Sequence, residues 1–347
     1  MPNAKLFPRA CDPGYDGYRI PPSIPSIESF CQQISPPLAP ITLTAIRPHI
    51  IESPELVMNY QTQIHSFKTA DNERLHGALL TPPDKKSDTA LIFVHGVAMN
   101  FYLPPLFNFG QELSERGHHS FVINTRGHDW ISRGGNLTKF GGSAYEDLDD
   151  CVADLDGAIE FLKRHHYRRF ILIGHSLGAI KSIIYQGTQQ RDDVVGIVSC
   201  SAPKQFYSDR VARQPKFREL IEKAESMVDA GNGEELMSVN VGATPGIFTA
   251  RTHLDKYGKD DRNDCRPHAK NIGCPLLAVA GGAEPPFFHE YAQEIVAAAA
   301  GQSEYRFVDG ANHFYNRHTR QIVEIIHQWL RQFDDSEIYL AKAQSMS

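Results

Sequence analysis

Residues 170–179 read Phe-Ile-Leu-Ile-Gly-His-Ser-Leu-Gly-Ala, a short apolar run, then a serine between Gly174 and Gly178, then residues that favour a helix. A buried strand that gives way to a helix across a glycine-flanked serine demands a sharp turn. The serine backbone is strained there, and the two glycines let neighbouring chain approach closely. Such a turn projects Ser176 Oγ from the carboxyl edge of a sheet, with the N-terminal dipole of the following helix directed at the same place. The constraint is severe, because it requires a parallel sheet on either side of the turn.

The rest of the chain supplies that sheet. Apolar runs at 90–94, 120–124, 194–199, 275–280 and 305–308 recur with helix-period stretches between several of them. Continuous runs of this length fit strands buried on both faces. Their alternation with helices implies an α/β fold with a mostly parallel central sheet covered on both sides. Upstream, residues 61–81 hold two β-prone runs separated by Ala70-Asp71-Asn72-Glu73, a hairpin pattern. Ser143 followed three residues later by Glu146 predicts a capping box opening a helix that reaches Leu162. A last helix carries Ile322, Ile325, Ile326, Trp329, Leu330 and Phe333 on one face.

Two segments stand outside the alternation. Residues 1–55 are interrupted by Pro21, Pro22, Pro25, Pro36, Pro37 and Pro40 and form a proline-rich N-terminal arm, either a disordered leader or a strap packed through Tyr15, Tyr18, Ile20 and Phe30. Some seventy residues separate Ala202 from Asn271, too many for a simple connection. Residues 205–268 are therefore expected to form an inserted helical lid, splitting the core into 56–204 and 269–340. In that lid Phe206, Tyr207, Met227, Phe248 and Tyr257 either form an apolar entrance or pack against the body.

The 347 residues, 41% hydrophobic and 22% charged, match an ordinary globular protein and exclude collagen-like and disordered classes. A net charge of −6, without a basic block, argues against nucleic acid as a partner. The six cysteines are scattered singly and read as reduced structural thiols. The first residues lack a signal peptide's apolar core and no later stretch approaches the ~20 apolar residues of a membrane span, so the expectation is a cytoplasmic protein without a transmembrane segment. On that expectation the sequon at Asn136 carries no weight.

A serine hydroxyl is a weak nucleophile near neutral pH and needs a base, itself oriented by a third group. Asp309-Gly310-Ala311-Asn312-His313-Phe314 follows the last strand, which makes His313 the candidate base. Gly281-Gly282-Ala283-Glu284 follows the strand before it and makes Glu284 the candidate acid, with Asp309 as the weaker alternative. A developing oxyanion needs fixed donors. The backbone N–H of Leu177, just after the serine, is one; that of Val97, in the loop after the 90–94 strand, is the other. Met99, Phe101 and Tyr102 either line a substrate pocket or pack beneath the next helix. His95 and His175 are candidates for extra catalytic groups, though bracing of the loops is the favoured role, and His175 is also a pocket candidate; Arg126, His128 and Asp129 are expected to tie the loop after their strand by hydrogen bonds. No metal-ligand spacing occurs around the serine or His313.

Taken in order, the segments LHGALLTPP, VHGVA, NTRGHD, GHSLGA, GGAE and GANH resemble the α/β-hydrolase superfamily, in particular its serine esterases and monoacylglycerol-lipase-like members. The resemblance spans about residues 61 to 335. It implies the α/β-hydrolase fold and hydrolysis of a small-molecule ester or acyl substrate through an acyl-enzyme, with Ser176, Glu284 and His313 as the triad and no cofactor. The chain departs from its relatives in using Glu as the acid, where Asp is commoner, and in placing Asn at 124. A thioesterase, an acyltransferase, or a C–C bond or lactone hydrolase would use the same residues, and a catalytically silent binding module would merely keep the fold. Oligomeric state is not encoded in any of these segments.

Overall fold

In the computed structural model, residues 60–83, 85–135, 139–241 and 244–333 are described. The N-terminal arm, Cys11, Cys31 and the sequon at Asn136 lie outside them. Strands β1 (Gln61–Lys68) and β2 (Arg74–Thr81) form the expected hairpin, paired antiparallel from Gln61 opposite Thr81 to Lys68 opposite Arg74. There follow β3 (Thr89–Val94), α1 (Leu106–Glu115), β4 (Ser120–Ile123), the two-residue strands β5 (Ser132–Arg133) and β6 (Phe140–Gly141), α2 (Asp150–Arg164), β7 (Arg169–His175), α3 (Leu177–Gln189) and β8 (Val194–Cys200). Beyond β8 come α4 (Tyr207–Arg213), α5 (Lys216–Asp229), β9 (Leu236–Val241), β10 (Thr244–Thr249), α6 (Ala250–Tyr257) and α7 (Arg266–Ala269). The chain then returns to the core with β11 (Leu276–Gly281), α8 (Pro286–Ala298), β12 (Ser303–Val308) and α9 (Thr319–Leu330).

The main sheet has eight strands in the order β1-β2-β4-β3-β7-β8-β11-β12, parallel from β4 to β12 and antiparallel where β2 meets β1 and β4. Its central strands are apolar on both faces because helices cover both. In β3, Leu91 and Phe93 point to the side where α1 packs through Leu106, Phe109 and Leu113, and α9 through Ile322, Val323 and Ile326. Ala90, Ile92 and Val94 point to the other side, against Leu155, Ile159 and Leu162 of α2. On that same side α3 and α8 pack through Ile180, Ile183, Tyr291 and Ile295. Burying each such large side chain contributes about 2 kcal/mol.

Two local expectations are corrected. The helix after Ser143 does not begin there: α2 starts at Asp150, and Ser143 and Glu146 are buried with their side chains committed to distant partners. The segment between β8 and β11 is not wholly helical, because β9 and β10 pair antiparallel within it, Leu236 opposite Thr249. That segment has its own apolar cluster, in which Phe217, Ile221 and Ala224 of α5 meet Met237, Val239, Phe248 and Tyr257. Among the described residues no helix is long and apolar enough to cross a membrane.

Candidate active site

The serine turn sits at the carboxyl end of β7, near the middle of the sheet. Ser176 adopts φ 57°, ψ −125°, a conformation unfavourable for a residue with a side chain, between the last residue of β7 and the first of α3. Close packing makes the flanking glycines necessary. A Cβ on Gly178 would overlap the Val94 carbonyl oxygen, and one on Gly96 would lie 2.8 Å from Ser176 Cβ.

The loops leaving β11 and β12 bring the other two predicted residues to this edge. His313 Nε2 lies 3.2 Å from Ser176 Oγ, and His313 Nδ1 lies 2.7 Å from Glu284 Oε1. Since a carboxylate can only accept, Nδ1 carries the proton and Nε2 is left to accept from the serine. Glu284 is buried, and its other oxygen accepts from the Gly281 N–H at 2.6 Å and from Ser201 Oγ at 2.7 Å. Behind Ser201 stands the fully buried Tyr315, whose hydroxyl is 2.7 Å from Ser201 Oγ and 3.2 Å from the Val279 carbonyl. Asp309 is exposed and makes no bond to His313. Ser201 and Tyr315 were not anticipated from sequence. Ser201 does follow the end of β8, where its φ of 51° turns the chain toward the site.

The loop after β3 carries Val97, and its N–H, like that of Leu177, has no hydrogen-bond partner among the described residues. Both residues border the cavity over Ser176. The loop is braced on two sides. His95 donates from Nδ1 to the Gly96 carbonyl at 2.8 Å and accepts at Nε2 from the Thr125 N–H at 3.0 Å. Ala98 donates its N–H to Ser143 Oγ at 2.7 Å, and that hydroxyl donates to the Gly127 carbonyl at 2.6 Å. His175 donates from Nε2 to the His313 carbonyl at 2.7 Å, tying the strand before Ser176 to the loop that carries His313. Burial pushes His95 down to about 4 and His175 to about 3, so both rings are neutral near pH 7. Arg126 pairs with Asp71, Asp150 and Asp154, and His128 with Asp129, which ties the loop after β4.

Beneath this loop lies a buried charge cluster that no local sequence pattern reveals. Lys181 of α3 donates to Glu146 Oε2 at 2.7 Å, and Lys256 of α6 donates to Glu146 Oε1 and to the Ser143 carbonyl, both at 2.9 Å. Burial opposes the Glu146 charge, but the two ammonium groups outweigh it and hold the carboxyl at about 2. Burial dominates at Lys256 and, despite Glu146, pushes it down to about 8.

A cavity of about 420 Å³ lies on the opposite side of the sheet's strand ends, near Lys85 and His118, and one of about 520 Å³ opens over Ser176. The latter is the one bordered by His313. Its apolar wall includes Met99, Trp130, Ile180, Phe287, Phe288 and Phe314. Of the predicted pocket residues, Met99 and His175 line it. Phe101 instead packs on the core beneath α1, and Tyr102 is 57% exposed. Of the five residues weighed between a lid entrance and packing against the body, Tyr257 alone borders the cavity. Phe206 is buried against α8, and Tyr207, Met227 and Phe248 pack in the cluster of the inserted segment.

Comparison with known proteins agrees with this architecture. Among solved structures the chain resembles DcsB, in a complex with its substrate analogue, at 16% identity over 78% of this chain and 99% of that one, with a TM-score of 0.59. It resembles the esterase domain of a Rhodothermus marinus protein at 17% identity over 78% and 98%, TM-score 0.54, and Est1E from Butyrivibrio proteoclasticus at 13% over 78% and 98%, TM-score 0.54. No curated protein matches the chain. The model of the alpha/beta hydrolase family matches residues 91–325, from β3 into α9 and across every segment that builds the site, and the chain belongs to that family.

Proposed function

We propose that this protein is a serine hydrolase that cleaves a carboxylic ester through an acyl-enzyme. Ser176 is the nucleophile, His313 the base and Glu284 the acid. The observation that carries the reading is the unbroken pair of hydrogen bonds from Ser176 Oγ through the His313 ring to Glu284.

In the first step the Ser176 hydroxyl proton passes to His313 Nε2 as Oγ bonds to the carbonyl carbon, and the carbonyl oxygen becomes an oxyanion. The Val97 and Leu177 N–H groups receive that charge; losing one such donor typically costs ~3 kcal/mol of transition-state stabilisation. Glu284 stabilises the imidazolium, and Ser201 and the Gly281 N–H keep the carboxylate aimed at it. The C–O bond to the leaving alcohol then breaks, and His313 Nε2 returns its proton to the departing oxygen. Water repeats the sequence on the acyl-enzyme, releasing the acid and restoring Ser176. The segment 205–268 acts as a lid, since it contributes Gln205, Tyr257 and Asn263 to the cavity.

The test is a fluorophosphonate probe with wild type and Ser176→Ala, the adduct located by mass spectrometry. The reading expects one adduct, on Ser176, and none on the variant; equal labelling of the two proteins overturns it.

A further inference from the structure

The cavity over Ser176 is walled by two kinds of residue with different sequence origins. The core supplies an apolar floor and sides around Ser176, His175 and His313, while the segment between β8 and β11 adds three further polar residues, Gln205, Tyr257 and Asn263. No Asp, Glu, Lys or Arg is found among the described lining residues, and His175 is neutral. A charged substrate group would therefore leave water for a wall that offers it no counter-ion.

Asn263 is the telling member. It is 1% exposed, and neither its Nδ2 nor its Oδ1 has a hydrogen-bond partner among the described residues. Buried side-chain amides are almost always satisfied, because leaving donor and acceptor both unmade is unfavourable. Here the amide stands beside a cavity large enough for a small ligand, next to a tyrosine whose hydroxyl is also held protonated by burial, its pKa pushed up to about 12. Both residues border the cavity, and neither function of the Asn263 amide is used in a hydrogen bond among the described residues.

We infer that Asn263, with Tyr257 and Gln205, forms a polar subsite that selects neutral substrates carrying a hydroxyl or carboxamide remote from the scissile ester. A group of that kind both donates and accepts, which is what an amide with two unused functions requires. The rest of the substrate is apolar, matching Trp130, Phe287 and Phe288. The inference rests on the assignment of Ser176 as the nucleophile of an ester hydrolase.

The experiment measures kcat/KM for p-nitrophenyl butanoate, hexanoate and octanoate, each beside its ω-hydroxy and ω-carboxylate counterpart. Wild type, Asn263→Leu and Tyr257→Phe are compared, and fluorophosphonate labelling of wild type is run in parallel. At the chain length that reaches the subsite, wild type favours the hydroxy ester over the plain ester by about tenfold or more and disfavours the carboxylate. Asn263→Leu lowers the hydroxy-to-plain ratio by about tenfold; Tyr257→Phe, which removes only a hydroxyl, lowers it less. The ratio divides out any general loss from altered packing. If wild type is labelled at Ser176 and hydrolyses the plain esters but shows a ratio near one at every length, or if Asn263→Leu keeps the wild-type ratio, the subsite is refuted while the hydrolase reading stands. Absence of labelling and of all ester hydrolysis overturns both.

Discussion

Replacing Glu146 by Gln removes the carboxylate to which two buried ammonium groups both bond. The side chains of Glu146, Lys181 and Lys256 are 2%, 1% and 0% exposed, and the two lysines bond to different oxygens of the one carboxylate. In Glu146→Gln both cations lose their counter-ion and face each other across a neutral amide, and breaking a buried pair in this way costs about 3–5 kcal/mol. Lys256→Met is different in kind. It leaves Lys181 and Glu146 as a matched pair and deletes a cation whose charge burial already disfavours. Against this it loses a charge-assisted bond to the Ser143 carbonyl, worth about 1.5–3 kcal/mol, which offsets the relief of that burial. The net change at Lys256 is near zero, so the two variants differ by roughly 3 kcal/mol. At about 2 °C per kcal/mol for a domain of this size, calorimetry should place Glu146→Gln some 6–10 °C below wild type and Lys256→Met within about 3 °C. The pH dependence supplies a second check. Between the lowered Lys256 value of about 8 and its ordinary 10.5, the unfolded chain holds a proton that the folded one releases. Over that window wild type gains stability relative to Lys256→Met as pH rises. If Lys256→Met proves as damaging as Glu146→Gln, the charge ordering within the cluster is wrong.

Three further outcomes are expected. Ser201→Ala removes one hydrogen bond from the buried Glu284 carboxylate and should lower kcat by about tenfold with little change in KM, since bonds to charged groups contribute about 1.5–3 kcal/mol; an unchanged kcat removes Ser201 from the positioning of the acid. Gly96→Ala sets a methyl against Ser176 Cβ and should slow fluorophosphonate labelling far more than it lowers the melting temperature, and comparable rates in the two proteins refute the close approach. His95, His118, His175 and His253 are held below their ordinary 6.5, chiefly by burial, at about 4, 3, 3 and 3. Below pH 6.5 the unfolded chain binds four protons at these rings that the folded one refuses, while Asp154, pushed up by burial to about 7, keeps one that the unfolded chain loses; with that net of three, stability should fall by roughly 4 kcal/mol per pH unit toward pH 5. Urea unfolding at pH 7, 6 and 5 measures this, and a slope below one proton contradicts it.

What the sequence revealed and what it hid divide along the range of the interactions. Strands buried on both faces must be apolar at every position, so β3, β7 and β11 announce themselves within six or seven residues. That Ser176, Glu284 and His313 would meet was legible for a related reason. Each follows a recognisable strand, and a parallel sheet brings the carboxyl ends of its strands to one edge wherever they lie in the chain. The errors come where a side chain's partner is remote. Ser-x-x-Glu at 143–146 has the local form of a capping box, but Ser143 bonds to Ala98, 45 residues away, and Glu146 to Lys256, 110 residues away. Nothing within the four residues distinguishes the two outcomes, because a cap and a tertiary brace ask for the same hydroxyl and carboxylate. The β9–β10 hairpin escaped notice because its sheet is only two strands wide and the segment around it reads as charged and helical. Asn263 carried no signal whatever. An unsatisfied amide becomes visible only once three dimensions show that nothing among the described residues bonds to it, and Asn263 differs from other buried groups in that state, such as Ser120, Ser199 and His253, in bordering the cavity. The proposed subsite makes substrate preference a property of this least legible segment, so exchanging residues 205–268 with those of another family member should change the ratio of ω-hydroxy to plain ester hydrolysis while fluorophosphonate labelling at Ser176 persists.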